Sequence, residues 1–160
     1  MTVVSNTTPL NYLILIGQAD ILHKLYELVL IPEAVFNELS TASTPQLVRE
    51  WIATKPSWLE LRKASAAPLG ELEEIQIGER QAIALAQVVH PEFVLLDDRR
   101  AGEIAKQLGL QVIGALGILA RAAQLGLLDL TDALERLRRT NFRISPDLLD
   151  SLLTKDDKSP

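Results

Sequence analysis

Short apolar runs alternate with longer amphipathic segments along the chain, and that alternation restricts the fold more than any other feature. Val3-Val4, Leu28 to Ile31, Phe93 to Leu96 and Val112-Ile113 are bounded by polar residues, Pro or Gly. They are too short for buried helices and are predicted strands. Trp58 to Leu61 is a weaker strand. Polar cap residues with an early Pro, Ser5-Asn6-Thr7-Thr8-Pro9, start the first helix, and Pro32 opens another. The spacing predicts helices over 9–16 and 18–27, punctuated by Gly17, then 32–40, 45–54, 78–89, 99–109, 115–125, 130–139 and 146–153. Strands separated in this way by helices imply β-α units around a central parallel sheet. Residues 62–77 have the most loop-like composition and are expected to form a variable excursion. One domain is expected over 1–153, with 154–160 as a frayed C-terminal tail.

Composition removes several chemistries. There is no cysteine, hence no disulfide framework and no thiol nucleophile, and only two histidines, His23 and His90. Both are read as surface or packing residues. Sixteen Lys and Arg against 21 Asp and Glu give a formal net charge of −5. That balance argues against holding nucleic acid by charge alone, although bound cations can bridge an acidic protein to a phosphodiester. Aromatic residues are 4% of the chain, too few for an extended base-stacking platform. The start MTVVSNTT has no basic segment followed by an apolar core, and no run reaches the ~20 apolar residues of a membrane span. A cytoplasmic protein with no membrane partner is expected.

In open α/β sheets ligands bind beyond the carboxyl ends of the strands, where strand order reverses. Asn6 ends the first strand and Asp97-Asp98 end the strand Phe93 to Leu96. Glu79 falls in a first helical turn above Ala82, Ile83 and Ala86, at the inner end of a buried stripe. Glu38 follows Ala34 and Val35 by one turn and can face the same way. Each residue also has a plain structural role. Asn6 and Asp97 suit helix caps, with Asp97 the expected cap of its pair. Glu79 complements a helix dipole, and Glu38 alone suits a solvated face. The adjacent carboxylates Asp97 and Asp98 are harder to explain without a cation nearby.

The order of these pieces carries more than any one of them. SNTTPL, then IPEAVFNEL, GERQAIALA and LLDDRRA followed by GLQVIGALGIL, resembles the PIN-domain family, and within it the branch of VapC-type toxin proteins, over roughly residues 2–153. The resemblance implies a three-layer α/β/α sandwich and metal-dependent cleavage of single-stranded RNA. It also implies carboxylates holding Mg²⁺ or Mn²⁺, and an antitoxin partner that blocks the site. Family members commonly dimerise through helices, and the apolar 113–128 region would supply surface for a homodimer.

Carried over residue by residue, the acidic positions fall on Asn6, Glu38, Glu79 and Asp98, with Asp97 beside the last. Glu38, Glu79, Asp97 and Asp98 are the expected metal ligands. Hydrolysis would use metal-activated water, with Ser5, Thr7, Thr8, Arg99 and Arg100 as supporting residues or phosphate contacts. Asn6 stands where most members carry Asp, and Arg100 stands at a usually acidic position. An Asn oxygen can ligate a hard cation but brings no charge. A second reading follows, a catalytically weakened PIN fold kept as a binding or regulatory module. Arg136, Arg138, Arg139 and Arg143 lie near one helical face, where pairs such as Asp132–Arg136 and Glu135–Arg139 make a solvated ion-paired surface the favoured role.

Overall fold

In the computed structural model, which describes residues 1–64 and 74–158, the predicted strands pair in parallel into one sheet. They are β1 (Thr2–Ser5), β2 (Leu28–Pro32), β3 (Leu59–Arg62), β4 (Phe93–Leu95) and β5 (Val112–Ile113), in spatial order β3-β2-β1-β4-β5. Between and after them run helices α1 (Thr7–Leu15), α2 (Ile21–Leu25), α3 (Glu33–Leu39), α4 (Gln46–Ala53), α5 (Ile77–Val89), α6 (Arg99–Gln107), α7 (Ala115–Gln124), α8 (Leu130–Arg138) and α9 (Pro146–Lys158). The chain steps outward from β1 to β3, then returns to lay β4 on the other side of β1. Strand order therefore reverses between β1 and β4. The expected excursion over 62–77 falls mainly on 65–73, which lie outside the described residues.

Side-chain alternation explains why both faces of the sheet are covered. Val3, Val29, Ile31, Leu59 and Leu95 enter one apolar cluster with residues of α1, α2, α4, α7 and α8. Their neighbours Val4, Leu30, Val94 and Leu96 point the other way, onto Ile83 and Ala86 of α5 and Ile104 of α6. The result is the expected α/β/α sandwich.

Two helix boundaries differ from expectation. The segment predicted as helix over 18–27 is helical only at Ile21–Leu25. Gly17, at φ +75°, ends α1 in a left-handed turn, with Gly17 N–H donating to Ile14 O and Gln18 N–H to Leu13 O. Tyr26 is already extended on the way into β2. At the other end, α9 continues to Lys158, beyond the expected stop at 153. Among the described residues no helix is long and apolar enough to cross a membrane.

Packing in the two layers makes a simple contrast testable. Leu30, in β2, is 1% exposed beneath α5, whereas Leu61, in β3, is 37% exposed. Leu30→Ala should cost about 2–5 kcal/mol in urea unfolding, and Leu61→Ala less than about 1 kcal/mol. Equal costs would show that the two faces are not packed as described.

Candidate functional site

Beyond the carboxyl ends of β1 and β4 the two strands stay paired to their tips. Ser5 is in register with Leu95, and Asn6 N–H donates to Leu95 O at 3.0 Å. The Ser5 hydroxyl, fully buried, donates to Asn6 O at 2.9 Å and steadies the turn into α1. Asn6 occupies the N-cap position of α1 but makes no side-chain cap bond, although it is only 5% exposed. Its amide oxygen instead faces the first turn of α5. A β-carbon built on Gly78 would lie 3.3 Å from Asn6 Oδ1, 3.3 Å from Glu38 Oε2 and 3.6 Å from Thr7 Oγ1. Three polar groups, two from the β1–α1 junction and one from α3, thus surround a glycine.

Glu38 reaches this point from α3, where Thr7 Oγ1 donates to Glu38 Oε2 at 2.8 Å. Otherwise Glu38 is exposed, so the expected solvated residue is also tied to the first helix. Thr8, half-buried, makes no side-chain hydrogen bond among the described residues. Glu79 follows Gly78 and is buried above Ala82, Ile83 and Ala86, as its spacing predicts. Gln76 N–H donates to Glu79 Oε1 at 3.1 Å, one half of a capping box. Burial raises the Glu79 pKa above the usual carboxylate range; the Gln76 bond opposes this, and the negative charges of Asp98 and Glu38 add to it. Glu79 is therefore close enough to feel both Asp98 and Glu38.

The Asp97-Asp98 pair divides differently from expectation. Asp98, not Asp97, caps α6, with Ala101 N–H donating to Asp98 Oδ2 at 2.8 Å. Asp97 turns towards the start of α7, where Ala115 N–H donates to its carboxylate at 3.1 Å. A β-carbon on Gly114 would come within 2.5 Å of Asp97 Oδ1, so that glycine admits the carboxylate. Burial pushes the Asp97 pKa up to about 6, against the Ala115 bond. Asp97 is absent from the charges that perturb Glu79.

Arg99 pairs with Glu103 at 3.3 Å and Arg100 with Glu74, all four side chains well exposed. On α8, Arg136 pairs with Asp132, and Arg138 and Arg139 with Glu135, as a solvated ion-paired surface requires. His23 stacks on Trp58, and His90 ends α5 at φ 54°.

The donor set is all oxygen, which suits a hard divalent cation rather than a thiolate- or imidazole-seeking one. The missing β-carbon of Gly78 leaves room between Asn6 and Glu38. Glu38, Glu79 and Asp98 each keep one carboxylate oxygen that accepts no hydrogen bond among the described residues. In this conformation no group of three or more His, Cys, Asp or Glu among the described residues is drawn together enough to hold an ion. The residues fit a cation chemically, and the carboxylates must swing inward to close on one. Gly78 and Gly114 were not singled out from the sequence. The signal was present for Gly78, because glycine in a first helical turn weakens the helix unless a close approach requires it.

A family model described as DUF3368, a PIN domain, matches residues 2–158. The chain belongs to the PIN-domain family. PIN domains are generally nucleases that act on nucleic acids; they typically use divalent metals, and many pair with antitoxins. Neither a curated protein nor a solved structure gives a significant match.

Asp97 gives a pH test with a definite sign. Its pKa rises from 3.8 in the open chain to about 6 in the fold, so the folded state binds the extra proton between those values. Stability is then unpenalised below pH 3.8 and falls as pH rises, the full penalty being present above about 6. Asp97→Asn keeps an acceptor for Ala115 N–H without the charge. It should exceed wild type at pH 8 by on the order of 1–3 kcal/mol and lose that margin near pH 4. Urea melts at the two pH values measure this; a margin independent of pH would mean that Asp97 is not charged at a desolvation cost.

Proposed function

We propose that this chain is a Mg²⁺- or Mn²⁺-dependent endoribonuclease of the toxin–antitoxin kind, cutting single-stranded RNA within the cytoplasm. The observation that supports the reading is that Asn6 and Glu38 flank Gly78, and that the next residue, Glu79, feels the charges of both Glu38 and Asp98. Glu38, Glu79 and Asp98 would hold the cation, with Asn6 Oδ1 as a neutral donor. A bound divalent ion supplies charge neutralisation at the phosphate and a more acidic water at neutral pH.

The chain's own residues do the rest. Thr7 fixes the Glu38 carboxylate, Ser5 holds the β1–α1 turn, and Gly78 leaves space against Asn6. Asp97 contributes by seating the start of α7 and is left out of the ligand set. Arg99 and Arg100 sit in exposed ion pairs worth little, which a phosphate can replace. An antitoxin that covers the carboxylates, and a second copy of this chain, complete the reading as partners.

Asn6 favours the second reading, a weakened fold retained for binding, because it removes a charge where most relatives carry one. Both readings meet in one assay, cleavage of single-stranded RNA with and without Mn²⁺ on protein freed of host ribonuclease. Glu79→Gln keeps the acceptor for Gln76 N–H, and Asp98→Asn keeps the α6 cap. Each should abolish Mn²⁺-dependent cleavage while circular dichroism stays unchanged. Activity surviving both changes would place the chemistry elsewhere, and RNA binding without any cleavage by wild type would select the binding module.

Asn6→Asp restores the missing charge. One charge at contact distance is worth ~1–4 kcal/mol between water and a half-buried site, so Mn²⁺ affinity by titration calorimetry should rise by roughly tenfold or more. Equal affinities would remove Asn6 from the ion's surroundings.

A further inference from the structure

We propose that the cleft between α3 and the start of α5 is a pocket for one nucleobase of the RNA, with Arg80 as the contact for the adjoining phosphate. The proposal rests on the nuclease reading and adds to it the place where sequence preference is set. The cleft is an open groove of about 540 Å³, bordered by Glu38 and Gly78, residues that also border the carboxylate crevice. A strand seated with its phosphate at the crevice therefore has its neighbouring nucleotide at this opening. That volume lies in the range of small-ligand sites, roughly 300–1,000 Å³.

Its walls suit a flat, mostly apolar ring. Ile75 and Ile77 line it, and Ile77 is 57% exposed, a large aliphatic side chain outside both core clusters. Asn37, exposed on α3, brings an amide that can donate and accept at a base edge. Arg80 is half-buried, and its Nε is buried without a hydrogen-bond partner among the described residues. It forms no ion pair there either, unlike Arg99, Arg100 and Arg136. The Nε is closed off from solvent, but the terminal guanidinium nitrogens are not buried, and they are the atoms that a phosphate oxygen of RNA would meet. Single-stranded RNA is read through splayed bases, stacked on rings or on guanidinium planes. With no aromatic side chain among the described residues that line this cleft, Ile77 provides the exposed face and Arg80 is left for the phosphate. The walls are held in place, because Ala34 N–H of α3 donates to Gln81 Oε1 of α5 at 2.9 Å.

The test is fluorescence anisotropy with single-stranded A, C and U dodecamers, at several salt concentrations. Ca²⁺ replaces Mn²⁺, and RNA integrity is checked on gels. Wild type should prefer one base. Arg80→Gln should weaken all three RNAs by about tenfold and reduce the salt slope by about 0.7, whereas Arg80→Lys should keep the slope. Asn37→Ala, on an exposed position, should flatten the base preference without altering the slope.

If Arg80→Gln and Asn37→Ala bind as wild type does, the pocket is wrong, and Mn²⁺-dependent cleavage by wild type would leave the nuclease reading standing. Pocket effects on binding without any cleavage would support the pocket and remove the nuclease. Failure of wild type to bind any RNA would overturn both.

Discussion

The parallel pairing of β1 with β4 is the contact on which the remaining geometry depends. It is the point where strand order reverses, and the backbone bond from Asn6 to Leu95 brings both tips to one level. Glu38 arrives through β2, the other neighbour of β1, and Glu79 through α5, which packs its Ala-rich face onto Val4 and Leu30. Displacing β4 by one residue would move Asp98 off this level and turn Leu95 out of its cluster. Apolar packing on two faces, rather than any bond among the polar groups, holds the crevice in register.

Much of this was legible in the sequence because period and punctuation are local signals. The strand centres, the parallel sheet and the buried stripe under Glu79 followed from spacing, and the α/β/α layering from the family resemblance. The helix boundary at Gly17 was less so, since Gln18 and Ala19 fit a helical pattern and only the capping bonds reveal that the chain turns there. The two aspartates show the same limit. Adjacent residues at a strand end point in different directions, and which one caps α6 depends on where β5 delivers Gly114. That information lies sixteen residues downstream of Asp98. Arg80 could not be singled out either, since an orphaned donor exists only once the surrounding elements are assembled.

Electrostatically the pair performs two tasks at once. The charge of Asp98, like that of Glu38, acts on Glu79. Asp97 sits a residue away but is drawn into the β5–α7 junction, where desolvation governs it. The repulsion within the first group favours any cation that enters, while the second fixes the position of a neighbouring helix. A single acidic dipeptide thereby links the crevice to the packing of α7 against the apolar core.

The crevice is also delocalised along the chain. Val3 pairs with Phe93, far along the chain, and the four candidate groups run from residue 6 to residue 98. Pairing over such separations makes folding slow relative to local helix formation. During synthesis β1 and β2 leave the ribosome early, with one long edge of β1 unsatisfied until β4 follows. No fragment ending before that strand contains the crevice, so any nuclease activity requires the chain at least through Asp98.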